Sequence, residues 1–206
     1  MKTNSRWILY VAGVPVVMAL SALLSWKITV ASITDQNYIF DTFKKTNSIW
    51  LYSEKLGSQA ASDIERARVA ISGPLALSSK EALYFVALVD NNGDRLNSSC
   101  DYEVTGNAYD SRWWSITLYD SGTQHYVKNR INRSSWNSVN IPRLVNGGWK
   151  ILVASKPSTK TELAWLPSQE NPEQAFELMM RFYNPSQSLR NAVPNIDLPR
   201  IERVAC

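Results

Sequence analysis

A chain of 206 residues can bury one ordinary core and is too short for two large domains, which excludes a large modular enzyme. Its formal charge is +4, but three of the 22 basic residues, Lys2, Arg6 and Lys27, precede the first acidic residue, Asp35, so the remainder carries 19 basic against 18 acidic side chains. A nearly neutral body offers no concentrated basic excess for phosphate contacts, and nucleic acid is not an expected partner.

The first element is apolar. From Trp7 to Trp26 the sequence WILYVAGVPVVMALSALLSW holds no charged side chain, and at about 1.5 Å of rise per residue it reaches roughly the 30 Å of a hydrocarbon core. We read residues 7–30 as a transmembrane helix, with Trp7, Tyr10 and Trp26 as headgroup-level aromatics and the lipid bilayer as its partner. Gly13 and Pro15 are better tolerated in lipid than in a soluble helix. Two other readings stay open: a buried soluble helix, and a cleavable signal peptide with Lys2 and Arg6 as its basic region and Val30-Ala31-Ser32 as its cleavage neighbourhood. The apolar run exceeds the usual length of a signal-peptide core, which favours a retained anchor. Positive-inside counting puts residues 1–6 in the cytoplasm and exports the body, with Lys44 and Lys45 at the edge of the counted zone.

Residues 31–80 read as a helical neck. Ser62-Asp63-Ile64-Glu65 has the form of a capping box, Ile64, Ala67, Val69 and Ile71 follow, and Ser72-Gly73-Pro74 should end the helix. Over residues 81–206 the period becomes alternating and turn residues recur every ten or so positions, the arrangement of an antiparallel all-β domain. Ala82 to Asp90 is continuously apolar up to its last residue, a strand covered on both faces, and Asn91-Asn92-Gly93-Asp94 turns the chain. A strand near Cys100–Thr105 points Tyr102 and Val104 one way and Asp101, Glu103 and Thr105 the other. Arg112–Asp120 sends Trp114, Ile116 and Leu118 inward and Trp113, Ser115, Thr117 and Tyr119 outward or half outward. The polar stretch 129–140 reads as a loop, and Trp149–Ser155 as a strand. Phe176, Leu178, Met180 and Phe182 line one face of another strand, and Pro194–Val204 as an edge strand or extended strap.

Cys100 and Cys206 are the only cysteines. An even pair on an exported body suggests a disulfide, which would close a loop worth on the order of 4.7 kcal/mol in the chain-entropy model; two unrelated thiols remain the alternative. Neither sits in a C-x-x-C pair and His125 is the sole histidine, so no metal site is expected. Phosphate-loop, dinucleotide and H-E-x-x-H motifs are absent, and no cofactor is expected. A Ser-His-Asp triad would have to use His125, beside Tyr126, which reads better as a surface histidine.

Carboxylate chemistry has one foothold. Asp101 and Glu103 share a strand face about 7 Å apart, a spacing compatible with the acid and base of glycoside hydrolysis, although exposed strands commonly carry acids. Trp113, Trp136, Trp149 and Trp165 could stack on sugar rings, with core packing the alternative, especially for Trp114 and Trp149. Arg112 and Arg181 could grip an anionic glycan or lipid headgroup, or brace loops.

Arg66-Ala67-Arg68-Val69-Ala70, Glu81-Ala82-Leu83-Tyr84-Phe85, Asp90-Asn91-Asn92-Gly93, Arg112 through Asp120 (RWWSITLYD), Trp165-Leu166-Pro167 and Arg181-Phe182-Tyr183-Asn184-Pro185 occur in that order. Over residues 58–206 the chain resembles the domain of unknown function 1214, and its ending, Leu198 through Cys206, is similar to that of the short membrane-anchored bacterial members. The resemblance implies a mainly β, jelly-roll-like β-sandwich, and it favours pairing of Cys100 with Cys206. It brings no catalytic residues. The expectation is therefore a single-pass protein of a bacterial inner membrane, its C-terminal domain periplasmic, binding a protein partner or envelope glycan. Two other functions are weighed: a glycan-active hydrolase using Asp101 and Glu103, and an accessory subunit of a membrane complex packed through Gly13, Ala19 and Ser21.

Overall fold

A computed structural model describes residues 5–34, 43–53, 55–72, 77–157, 164–168 and 173–206. The apolar N-terminal run forms helix α1 (Ser5–Thr34) with Pro15 inside it, and its stretch Gly13–Ile33 is long and apolar enough to cross a membrane and is not buried against the rest of the chain. The expected residues 1–6 fall largely outside the described ones. Helix α2 (Asp63–Ser72) begins with the predicted capping box: Ser62 Oγ accepts from the Glu65 amide at 3.2 Å and Glu65 Oε2 accepts from the Ser62 amide at 2.6 Å. Those bonds favour the ionised form and hold the Glu65 carboxyl below its ordinary range. The helix ends at Ser72; the Gly73-Pro74 stop lies outside the described residues. Arg68 ties the two helices by donating from Nε to the Ser32 carbonyl at 2.8 Å.

The neck differs from the expected helix. Two short strands, β1 (Lys44–Lys45) and β2 (Leu51–Tyr52), lie within it, and β2 pairs with β3 (Ala82–Ala87) through Leu51 opposite Val86. The cause is Trp50, which is fully buried and donates its indole N–H to the Pro199 carbonyl at 2.7 Å. A strand of two residues is too short to display a period.

The remaining elements are β4 (Asp101–Gly106), β5 (Ser111–Asp120), β6 (Ser135–Asn137), β7 (Trp149–Ala154), β8 (Ala164–Pro167), β9 (Phe176–Pro185), α3 (Gln187–Asn191) and β10 (Arg200–Ala205). One antiparallel sheet has the order β1-β2-β3-β9-β5-β6, and a second has the order β10-β4-β7-β8. The protein is thus mainly β, with an N-terminal apolar helix. The second sheet corrects the expectation of an all-antiparallel body, because β7 and β8 run parallel. Strand β6 corrects the loop expected over 129–140. Its Ser-Trp-Asn sequence carries one apolar residue, yet it pairs with Ser115, Ile116 and Thr117 at a sheet edge.

The alternation in the sequence builds the core. Trp114, Ile116 and Leu118 stand opposite Phe182, Met180 and Leu178 across β5 and β9, and Tyr102, Val104, Ile151, Val153, Leu166 and Ile201 come from the second sheet. All of them are buried, each contributing about 1.5–3 kcal/mol where fully removed from water. Between the sheets the Trp114 and Trp149 rings lie 5.0 Å apart. The other face of the six-stranded sheet is covered rather than open: Phe43, Leu56, Tyr84, Val86 and Leu88 form a second apolar cluster there. Ser115 and Thr117, expected to face outward, are accordingly buried.

Strand β3 stops at Ala87, short of the expected Asp90, because the Asp90 carboxylate captures the amides of Asn92 and Asp94 at 3.0 Å each and turns the chain. Cys100 and Cys206 form a disulfide that fastens β10 beside the start of β4. On the side of β10 away from β4, Asn91 donates its amide to the Ile201 carbonyl and accepts from the Ile201 amide through Oδ1, plugging the sheet edge.

Two outcomes follow for stability. A methyl group at Gly106 would lie 2.2 Å from the buried Trp149 ring, so Gly106→Ala is expected to cost about 1–3 kcal/mol in a urea titration. Removing the disulfide by Cys100→Ser together with Cys206→Ser is expected to cost about 2–5 kcal/mol, read as a lower denaturation midpoint than that of the oxidised protein.

Candidate functional site

Three stretches far apart in sequence meet at one end of β10: Asn47–Ile49 between β1 and β2, Asn91 in the turn after β3, and Asn195–Arg200 leading into β10. They line a pocket of 260 Å³. Its floor is apolar, from the buried Ile196 and Leu198 with Pro199, and its rim is polar and exposed. Several rim side chains are fixed by one arm. Asn47 Nδ2 donates to Asn195 Oδ1, Asp197 Oδ2 accepts from Asn107 Nδ2 at 3.0 Å, and Asn91 Oδ1 holds the Ile201 amide. Among the described residues each keeps a second arm: Nδ2 of Asn91 and Asn195 to donate, Oδ1 of Asn47 and Asp197 to accept. The two charges on the rim oppose each other, and Arg200 is itself paired with Glu202 at 3.2 Å. The pocket therefore offers mixed donors and acceptors with little net field.

A second polar group lies on the covered face of the six-stranded sheet. Arg181 on β9 donates from Nη1 to Thr117 Oγ1 at 3.3 Å and from Nη2 to the Tyr119 hydroxyl at 2.7 Å. Tyr119 stacks at 5.1 Å on the exposed Tyr126, and burial raises its phenol. Glu177, opposite Tyr119 in register, is 1% exposed, and its Oε2 has no hydrogen-bond partner among the described residues. Burial pushes its carboxyl up to about 7, against the pull of the Gln124 side chain and the charges of Arg95 and Arg181; Asp120 adds to the rise. Asp120 is occupied locally, accepting from the Gly122 and Thr123 amides and from the Thr123 hydroxyl.

The residues singled out from sequence are dispersed. Asp101 and Glu103 do share the outer face of β4, where Glu103 is ion-paired with Lys150 and stands opposite Glu202. Trp136 and Trp165 come together where the sheet edges meet: Trp136 Nε1 donates to the Trp165 carbonyl at 3.0 Å, and Arg133 lies 3.9 Å above the Trp136 ring. Trp113 packs at 5.2 Å against Tyr183, beside the exposed Arg112, and Trp149 is core. The guanidinium of Arg181 bonds to β5 rather than pointing into the pocket.

The pocket residues went unseen in the sequence. Asn91 reads as turn chemistry and Asn195 and Asp197 as a proline-flanked strap, since nothing local says that these segments meet. Glu177 reads as one more outward acid of an alternating strand; only tertiary cover buries it.

A model of the family described as protein of unknown function (DUF1214) matches residues 81–187. The chain is similar to the crystal structure of the VPA0106 protein from Vibrio parahaemolyticus, with 26% identity and a TM-score of 0.56 over 70% of this chain and 36% of that one. A putative uncharacterized protein from Burkholderia cenocepacia, also a crystal structure, shows 16% identity and a TM-score of 0.38 over 60% of this chain and 29% of its own. The chain spans about a third of the length of these two proteins. No curated protein matches it. The family match contains Glu177 and Arg181 but, of the pocket, only Asn91.

Glu177 makes stability depend on pH. Its folded pKa of about 7 lies above the ordinary 4.5, so its stabilising contribution is complete below 4.5 and is lost as pH rises through 7. Between pH 4.5 and 8 the loss amounts to on the order of 3 kcal/mol. Glu177→Gln is expected to flatten this slope, compared by denaturant midpoints at acid and mildly alkaline pH.

Proposed function

The chain belongs to the DUF1214 family of proteins of unknown function, and from that premise we propose that it is a membrane-anchored binding module of the bacterial envelope whose ligand is a glycan unit. In this reading the two sheets form a β-sandwich of jelly-roll character, α1 holds the protein in the inner membrane as a single pass, and the domain over 81–206 with its added neck strands faces the periplasm.

The pocket carries the proposal. A sugar ring presents hydroxyls that donate and accept within a few ångströms of one another, and carboxamides are the side chains that can answer both. Asn47, Asn91 and Asn195 supply that pattern at fixed positions, and Ile196, Leu198 and Pro199 offer a dry floor to the ring's C–H face. A volume of 260 Å³, just below the about 300 Å³ at which small-molecule sites begin, suits one ring rather than an extended chain. Affinity for a single ring is modest, and an anchor that keeps the pocket in the compartment of an immobile polymer compensates through effective concentration. The reading requires no catalytic group, and the one pocket carboxylate, Asp197, is held by Asn107.

Titration of the full chain in detergent micelles with neutral and N-acetylated oligosaccharides, followed by saturation-transfer NMR, tests it. Binding is expected in the wild type and about tenfold weaker in Asn195→Ala and in Asp197→Ala, each of which deletes hydrogen bonds worth about 1–1.5 kcal/mol. Equal signals from wild type and variants, or none from either, would discard the pocket as a glycan site.

A further inference from the structure

Two helices meet where the apolar span ends. The stretch of α1 long and apolar enough to cross a membrane finishes at Ile33. Its residues are exposed from Val14 to Ala31, and cover begins only at Ser32 and Ile33. There α2 lies against it. Arg68 donates to the Ser32 carbonyl from Nε at 2.8 Å and from Nη2 at 2.5 Å, closing a contact between residues 36 positions apart. That carbonyl belongs to the last turn of α1, which has no backbone N–H of its own helix to receive, and a cation is the favoured partner at the negative end of a helix. The clasp is a helix cap supplied by a second helix.

On its other side α2 is held by the body. Val69 packs against the apolar cluster of Phe43, Leu56, Tyr84, Val86 and Leu88 on the outer face of the six-stranded sheet, and Glu65 pairs with Lys55 at 3.6 Å. The order of layers is therefore the end of α1, then α2, then the six-stranded sheet, then the four-stranded one. What α2 leaves open is Asp63, Ile64, Arg66 and Ala70, with Ile64 45% exposed. Ile64 stands one turn before Arg68 and so on the side of α2 that turns to α1.

Depth follows from length. A hydrocarbon core of about 30 Å sits in a bilayer of about 40–45 Å, which leaves a headgroup layer roughly 5–8 Å deep on each side. A helix with its side chains is about 10–12 Å across. With α1 spanning to Ile33, the near side of a helix bonded to Ser32 falls inside that layer.

We infer that α2 is docked in the headgroup layer of the bilayer that α1 spans, with Ile64 toward the acyl boundary and the Arg68–Ser32 clasp holding it there. The helix carries two acids, Asp63 and Glu65, against two bases, Arg66 and Arg68. Its docking therefore draws on position and apolar contact, not on anionic lipid, and is insensitive to salt, unlike a polybasic contact. The anchor becomes a stiff one, which turns the six-stranded sheet to the membrane and the four-stranded sheet away from it. This inference rests on the membrane-anchored reading and not on the identity of the glycan.

The test places a nitroxide on single introduced cysteines in the full chain, reconstituted at one copy per nanodisc of phosphatidylcholine. Cys100 and Cys206 are paired and take no label. Power-saturation EPR compares collision with oxygen, which concentrates in lipid, and with a nickel chelate, which stays in water. The sites are Ile64→Cys, Leu23→Cys within the span, and Lys150→Cys, whose native side chain pairs with Glu103 on the outer face of the four-stranded sheet. The oxygen-to-nickel ratio is expected to be highest at 23 and severalfold higher at 64 than at 150, with no change at high salt. Adding Arg68→Ala is expected to lower the ratio at 64 toward that at 150. Equal ratios at 64 and 150, with 23 in lipid, overturn the docking alone. Aqueous ratios at all three sites overturn the anchored reading and the docking with it. A ratio at 64 that rises only in discs carrying two copies overturns lipid as the occupant. A ratio at 64 unmoved by Arg68→Ala overturns the clasp, and if that variant does not fold, the ratio at 64 with Arg68 in place decides the docking.

Discussion

The contact on which the rest of the molecule depends is the meeting of Trp114 and Trp149 between the sheets. Their rings lie 5.0 Å apart, and Trp149 reaches that place because position 106 has no side chain. From this junction β5 and β7 run in the same direction, and the inward residues of β4, β5, β7 and β9 fall into one shared interior. The Trp149 indole N–H completes the arrangement by donating to the Asn107 carbonyl at 2.8 Å, so this buried ring leaves its polar edge satisfied. Everything of functional interest sits on what this junction leaves outside: loops at the two ends of the sheets and the strap that closes one side.

The pocket is a product of closure rather than of any single element. Its residues come from the segment before β2, the turn after β3 and the run before β10, drawn together because Trp50 bonds to Pro199 and Asn91 to Ile201. The first bond joins the two flanks of the family's matched region to each other, and the second joins a flank to its interior. The conformation of residues 195–200 thus depends on the neck folding back onto the sheet.

How much of this was legible follows from the range of the signal. Alternation reported β4, β5 and β9, with Trp114, Ile116 and Leu118 correctly inward, because burial on one side imposes a period of two, while a continuous apolar run reported β3 as covered on both faces. The capping box at Ser62 and Glu65 was legible because both partners lie within one turn of helix. Strands β1, β2, β6 and β8, of two to four residues, were not, since they are held by a neighbouring strand and not by their own pattern. Glu177 shows the same limit at a single residue: its alternation is that of an exposed acid, and only the packing above the sheet makes it buried. The pocket asparagines belong to turns whose local chemistry fully accounts for their presence, leaving no surplus signal to mark a site.

The pairing of β10 with β4 has a consequence in time. Ile201 of β10 is a buried member of the core and stands opposite Val104, roughly a hundred residues earlier in the chain. A ribosome adding about 5–20 residues per second delivers the strand on the order of 5–20 seconds after its partner. For that interval β4 has an unpaired edge and part of its inward face lacks cover, so the chain is exposed to wrong partners for far longer than a hairpin takes to form, about 1–10 microseconds. The last strand therefore acts as the bolt of the fold, and the waiting period before it arrives is when the protein most needs a chaperone's protection.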